Sequence, residues 1–330
     1  MIKKEVMNMK KEFSYFETIK MINETKKYFE GQLESKLSLI KVQSPLFVRG
    51  DSGLQDSLTG IEKSICFDKE GEEFEIVHSL AKWKREALGR YNFPMHAGLY
   101  TDMKAIRKDE EVDNIHSMYV EQWDWEKIID KSDRNIQYLI RTANSVYECI
   151  NNTSKYLGNN YLDIYNDLAK DLFFITSQEL ESMYPGISPK EREELITKEK
   201  GSVFIIGIGD KLCSGIQHDL RSPDYDDWSL NGDLLIYSHI IGKAIEITSM
   251  GIRVDENSII SQLKKANCID RINMPYHQKI LRKELPYTIG GGIGQSRVLM
   301  LLLNKSHIAE VQASSWQKQT LSKIRTKKIL

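Results

Sequence analysis

Apolar positions recur at helical spacing through residues 13–39, where Phe16, Ile19, Ile22, Phe29, Leu33 and Leu37 share one stripe and predict a long amphipathic helix. Residues 38–48 read as an extended stretch broken by Pro45, a residue suited to an edge or a bend. The pattern then changes to period two. Residues 73–84 predict a strand passing into the basic segment AKWKR, residues 98–107 the next strand and residues 115–125 a third, with the short turns of an antiparallel meander. Residues 128–184 are charged and helical, part of a helical insert over about 128–200 that is expected to cover one sheet face. A second set of strands begins at Gly201 with SVFIIGIGD, continues through residues 234–237, which Asp233 opens, and ends with residues 244–254. In that last segment Ile245, Ile247 and Met250 face a core while Glu246 and Thr248 face the other side.

Residues 288–303, TIGGGIGQSRVLMLLL, organise the rest. A glycine series lets the backbone turn tightly and approach a ligand, and the apolar run after it predicts a helix buried almost all round. Arg297 stands in the first turn of that helix. Arginine is rarely buried without a partner, and its planar fork suits a carboxylate or a phosphate. The dinucleotide fingerprint nearly fits from Gly292, but Arg297 occupies the place of its last glycine, and the motif should open a βαβ unit. A phosphate loop ending in Gly-Lys-Ser/Thr occurs nowhere in the chain. The alternative is structural: a glycine-rich strand leading into a core helix, with Arg297 paired to a neighbouring acid.

Size and charge narrow the function. The 330 residues, 41% of them hydrophobic, suffice for one large domain or two modest ones. With 46 basic and 47 acidic residues the net charge is −1, so nothing in it favours nucleic acid or membrane as a partner, and the basic stretch at 318–328 is too short to change this. Charges occupy the N-terminal segment where a signal peptide needs its apolar stretch, and no apolar run approaches transmembrane length. Cys66, Cys149, Cys213 and Cys268 lie far apart, without the spacing of a zinc site or a disulfide framework. A cytoplasmic globular protein is expected.

Polar residues inside otherwise apolar segments supply the candidate chemistry. His78, Ser79, Lys84, Arg107, Ser117, Gln122 and Asp124 fall on the predicted meander. They are either the wet face of an antiparallel sheet or a surface suited to a zwitterion that carries a phosphate. The nearby Trp83, Tyr100, Tyr119, Trp123 and Trp125 read as core. The loop at 49–60 holds Asp51 and Asp56, which turn chemistry alone explains as well as function does. The stretch at 218–237 concentrates five aspartates around Arg221, including Asp224, Asp226 and Asp233. Asp233 and Glu246 on adjacent strands could hold a hard cation shared with phosphates, or form cross-strand ion pairs.

Taken together, VHSLAKWKREALG from Val77, GLYTDMKAIR from Gly98, HSMYVEQWDWE from His116, RSPDYDDW from Arg221, LNGD from Leu230, SMGIRV from Ser249 and TIGGGIGQSR from Thr288 resemble the ammonia-dependent asparagine synthetase family of aspartate–ammonia ligases. The likeness covers most of the chain and implies an α+β fold: an antiparallel sheet flanked by helices, as in the catalytic domain of class II aminoacyl-tRNA synthetases. It further implies a single catalytic domain over residues 1–330 and a homodimer whose contact is built from the first helix and strand. The reaction it implies joins L-aspartate and ammonia with ATP through a β-aspartyl-adenylate, releasing AMP and pyrophosphate.

By the same resemblance Arg107 holds the α-phosphate and Arg297 the polyphosphate end, with Ser117, Thr248, Arg253 and Gly292 in the nucleotide site and Mg²⁺ on Asp233 and Glu246. Ser79, Lys84, Asp124, Arg221 and Asp226 match aspartate-binding positions, and Asp56 and Gln122 match residues beside the β-carboxyl group. Three departures stand out: a loop between Trp228 and Asn231 that looks short, and Glu121 and Thr248 where relatives carry Asp and Ser. A tRNA-charging enzyme would need an anticodon-binding domain, for which neither end has room. A glutamine-dependent synthetase would need a glutaminase domain with its cysteine. An inactive regulator of the same fold would have lost phosphate or metal residues, yet Arg107, Asp233, Glu246 and Arg297 are present.

Overall fold

The computed structural model describes residues 13–56, 58, 62–161, 164, 168–324 and 329–330. The N-terminal charged segment, most of the second half of the 49–60 loop and part of the basic stretch at 318–328 lie outside them. Ser14 caps the first helix, α1 (Tyr15–Leu37), in a reciprocal capping box with Glu17. Its buried stripe is Met21, Ile22, Thr25, Phe29, Leu33 and Leu37, whereas Phe16 and Ile19, expected on that stripe, are 77% and 46% exposed.

The chain then forms strands β1 (Leu39–Lys41), β2 (Phe47–Arg49), β3 (Cys66–Lys69) and β4 (Glu72–Ile76), followed by helix α2 (Ala81–Arg90). Strands β5 (Gly98–Ile106) and β6 (Tyr119–Ile128) lead into α3 (Ile136–Asn160), β7 (Phe173–Thr176), α4 (Ser177–Met183) and α5 (Pro189–Lys200). The last part holds β8 (Ser202–Ile206), β9 (Asp226–Ser238), β10 (Lys243–Arg253), α6 (Ser258–Lys265), α7 (Pro275–Leu281), β11 (Thr288–Gly294) and α8 (Gln295–Leu302).

Among the described residues, one eight-stranded sheet runs β1-β5-β6-β11-β10-β9-β8-β7. Its six inner strands are antiparallel, and β1 and β7 add in parallel at the two edges. One face packs against α1, α3 and α8 in a continuous apolar core that takes in Phe29, Trp123, Trp125, Phe204 and Leu299. On the other face α2 covers the β5–β6 end around Leu99 and Met103, and α4 and α5 cover the β8 end around Val203 and Ile205. The polar middle lies between these two apolar blocks.

The first strands do not form one antiparallel meander. Strand β4 belongs to a separate three-stranded sheet, β2-β4-β3, and AKWKR is not its continuation but the start of α2. Arg107 and Ser117 sit in the β5–β6 connection, outside the strands. The 128–200 segment is not purely helical, because FFIT pairs as β7 alongside β8. No loop separates Trp228 from Asn231, which are consecutive parts of β9, and Asp233 lies mid-strand opposite Ser249 instead of opening the strand.

Candidate active site

Strand β6 alternates cleanly: Trp123 and Trp125 go to the core, and Gln122, Asp124 and Glu126 to the opposite face. Its neighbour β11 places Gly294, Gly292 and Gly290 directly opposite those three residues. The glycine run is therefore extended strand, with no positive φ at Gly290, Gly291, Gly292 or Gly294, and not the tight turn that its composition predicts. Its purpose is space. A Cβ on Gly292 would sit 2.6 Å from Gln122 Oε1, and one on Gly290 would sit 2.6 Å from both Arg253 Nη2 and the Trp125 carbonyl.

The space so left is a cavity of about 380 Å³. From α2 and the turn before it come Lys84 and Ser79, and from the 54–58 loop Asp56. The β5–β6 connection brings Arg107 and Ser117; the loop before β9 and the start of that strand bring Arg221 and Asp226; β10 brings Glu246 and Arg253. Gly292 lines it from β11 and Arg297 from the first turn of α8. Residues predicted from scattered segments thus converge. Thr248 and Asp233 are the exceptions among them. An irregularity of β10 between Glu246 and Thr248 turns Thr248 inward, where its hydroxyl donates to the Gly292 carbonyl at 2.9 Å, and Ser249 takes the cavity-facing place. Asp233 accepts at Oδ1 from Arg221 Nη2 and Ser249 Oγ, both at 2.6 Å, and so lies behind the wall.

The floor is a buried charge network. Lys84, wholly buried, pairs with Asp124, donates to the Trp125 carbonyl at 2.9 Å and lies 3.8 Å from Glu126. Arg253, expected at a nucleotide, spends its fork instead on Glu126, through Nη2 at 2.7 Å and Nε at 2.9 Å, and on Asp226 through Nη1. Burial pushes Glu126 up, but the charge and hydrogen bonds of Arg253, with Lys84, hold it below its ordinary value. Burial wins at Asp226, which stays raised although Arg253 and Arg221 oppose it. Glu126 was missed in the sequence reading. Its signal was present, since it continues the Gln122, Asp124 alternation by one more step.

Asp56 is 1% exposed. Its Oδ1 accepts from the Leu58 backbone at 3.0 Å, while its Oδ2 has no hydrogen-bond partner among the described residues. Burial raises its carboxyl, against the nearby Lys82 charge. Arg107 donates weakly to the His78 carbonyl at 3.3–3.4 Å, and Arg297 donates to the Glu246 carbonyl at 3.0 Å with the Glu246 carboxylate 3.8 Å away. Such guanidiniums, facing a cavity and satisfied mainly by backbone oxygens, retain donors for an anion. A site with guanidiniums in its lining, fixed carboxylates on its floor and a buried carboxyl of raised affinity for protons can bind a phosphorylated zwitterion and accept a proton beside it.

A family model described as aspartate–ammonia ligase matches residues 16–328. The aspartate–ammonia ligase of Clostridium perfringens (strain SM101) is 56% identical over 308 residues, covering 92% of both chains. That of Ruminiclostridium cellulolyticum is 53% identical over 304 residues, 91% of this chain and 90% of its own. That of Fusobacterium nucleatum is 54% identical over 304 residues, 92% and 93%. Two solved structures share the fold. The asparaginyl-tRNA synthetase of Pyrococcus horikoshii complexed with asparaginyl-adenylate matches with a TM-score of 0.64 at 13% identity, over 88% of this chain and 67% of its own. The Entamoeba histolytica enzyme in complex with the same ligand matches at 0.63 and 15%, over 90% and 66%. The chain spans about two thirds of the length of these synthetases, and at such identity the likeness concerns fold alone.

Proposed function

The chain belongs to the aspartate–ammonia ligase family, and from that premise we propose how its cavity makes L-asparagine from L-aspartate, ammonia and ATP. The observation that carries the reading is the meeting, in one cavity, of the Arg107 and Arg297 guanidiniums with the buried Asp56 carboxyl. In the first step an oxygen of the aspartate β-carboxylate attacks the α-phosphorus of ATP, and pyrophosphate leaves. Arg107 neutralises the α-phosphate and Arg297 the polyphosphate end, which the approach of two anions requires. Asp124 and Asp226 receive the substrate ammonium, Lys84 and Arg221 its carboxylates, and Ser79 offers a hydroxyl. Their partners Glu126, Arg253 and Asp233 hold these charges in place before substrate arrives, so little reorganisation is needed.

In the second step Asp56 takes a proton from ammonium. The resulting ammonia attacks the β-carbonyl carbon while Gln122 orients the carbonyl. AMP leaves with the former carboxylate oxygen, and the nitrogen loses its second proton as the amide forms. Ser117 and Gly292 border the nucleotide. Glu246 suits Mg²⁺, because it is a hard oxygen donor that lines the cavity, whereas Asp233 stays on Arg221 and Ser249 behind the wall and is not among the residues that would hold the ion. When bound, the ion supplies neutralisation of phosphate charge.

We further propose one catalytic domain, a cytoplasmic setting and a homodimer. No helix among the described residues is long and apolar enough to cross a membrane. The exposed Tyr15, Phe16 and Ile19 of α1 and Ile40 of the edge strand β1 offer the apolar contact for a second copy. Aspartate labelled with ¹⁸O in its β-carboxylate tests the adenylate. One label per turnover in AMP is expected; label in pyrophosphate, or ADP as product, contradicts it.

A further inference from the structure

A second buried charge cluster lies behind Asp56, and none of its members lines the cavity. Lys82, on α2 and 3% exposed, donates to Asp224 Oδ2 at 2.9 Å and to the Gln55 backbone carbonyl at 3.1 Å. Asp224, wholly buried, also meets His277 Nε2 at 3.0 Å, the Ser222 hydroxyl at 2.8 Å and Arg271 at 3.6 Å. Gln55 joins this cluster to the reactive loop. Its side-chain oxygen accepts from the backbone N–H of Asp56 and of His78, both at 3.1 Å, while its amide donates to the Ile76 carbonyl at 2.8 Å. Lys82 therefore reaches Asp56 through one residue.

Stability alone does not account for the arrangement. Desolvating an ion pair offsets most of its attraction, and an apolar pair of similar volume would serve as well. What the ion pair adds is a cation beside a carboxyl that must change charge. We propose that Lys82, clamped by Asp224 and His277, is a positioning residue for the ammonia step: it fixes the Asp56 loop through the Gln55 carbonyl and sets the charge that Asp56 faces. The inference rests on Asp56 being the acceptor of the ammonium proton. The groups facing Asp56 are Lys82 on α2, Asp224 and Tyr225 before β9, and His78 and Ser79 before α2, with His277 of α7 and Arg271 behind Asp224. Lys82 lowers the Asp56 carboxyl and Asp224 raises it. Loss of the Lys82 charge thus moves the basic form of Asp56 to higher pH.

The test compares aspartate-dependent ATP–pyrophosphate exchange with asparagine formation, across pH, in Lys82→Gln, His277→Gln and Asp56→Asn. Gln can replace either donor at Asp224 without leaving a cavity. Exchange within about 3-fold of wild type is expected for both network variants, with asparagine formation reduced ~10-fold or more at neutral pH. In Lys82→Gln the acid limb of asparagine formation moves to higher pH. Because exchange itself reports a folded site, an unfolded Lys82→Gln leaves the decision to His277→Gln, for which selective loss of asparagine formation supports the proposal. Parallel loss of both activities in a folded variant, or an unmoved acid limb in Lys82→Gln, overturns it. If Asp56→Asn loses both activities equally, the assignment of the base fails instead, and the two failures are distinguishable.

Discussion

Gly292 and Gln122 are diagonal neighbours on paired strands, so close that a single methyl group on the glycine would fall 2.6 Å from the amide oxygen. The obstacle is the end of a flexible side chain, so Gly292→Ala is accommodated by moving Gln122. The expected result is a fall in asparagine formation of ~10-fold or more, since small misplacements at a reacting centre are costly, with a melting temperature close to wild type. At Gly290 the added methyl meets the Trp125 backbone and Arg253, and Gly290→Ala is expected to lose stability first. Thermal melts alongside activity separate the two.

Arg297→Ala removes a guanidinium whose described anchor is the Glu246 carbonyl. Adenylate formation is expected to disappear, because the phosphate loses a charge-assisted partner. Normal ATP–pyrophosphate exchange in a folded Arg297→Ala protein would exclude it from the phosphate site.

Glu126 and Arg253 hold the floor through several hydrogen bonds in a dry environment. Glu126→Leu leaves Arg253 and Asp226 without their balance, and a cost of ~3–5 kcal/mol is expected, as for a broken buried pair. Denaturant titrations of Glu126→Leu, Arg253→Met and the double variant should show strong coupling, the double losing much less than the sum. Additive losses would mean that the pair is not a unit.

Acid stability follows from Asp224 and Glu126. Burial alone would raise both carboxyls, but Lys82 and His277 hold Asp224 well below the usual range, and Arg253 and Lys84 hold Glu126 below it. A depressed folded pKa gives stability that is fully present above the unfolded value of about 4 and is lost as pH falls through the folded one. Asp56 and Asp226 are raised and act oppositely: their contribution is present at low pH and is lost as pH rises through their folded values. Asp224→Asn should therefore be less stable than wild type at pH 7, with a shallower loss below about pH 4. Urea titrations at pH 3 to 7 measure both.

If Glu246 shares a cation with the phosphates, Glu246→Gln should shift the Mg²⁺ dependence of exchange to higher concentration, and excess chelator should abolish exchange in the wild type. An unchanged Mg²⁺ dependence would remove Glu246 from the ion.

Much of the site was legible because its residues interrupt apolar patterns. Gln122 and Asp124 alternate with two tryptophans, and the Gly292 run marks the strand that leaves room for them. The α2 segment was misread because the β-rich FEIVHSL runs without a turn signal into AKWKR, whose Lys82, Lys84 and Arg85 are each buried in the helix on carboxylates or backbone carbonyls. Thr248 was misplaced because a one-residue irregularity in β10 reverses the alternation, which no pattern of period two can register. Phe16 and Ile19 follow helical spacing yet lie outside the fold of the single chain. Short strands such as β7 carry too few residues for periodicity to separate them from flanking helix. The network joining Lys82, Asp224 and His277 draws on distant segments and has no local signature.

The central claim is tested most directly by measuring AMP and asparagine released from ATP, Mg²⁺ and aspartate, with ammonium added or omitted. Equal amounts of both products, formed only when ammonium is present, are predicted. Binding of aspartate and ATP without asparagine would contradict the claim and leave a protein of the same fold that binds its ligands without joining them.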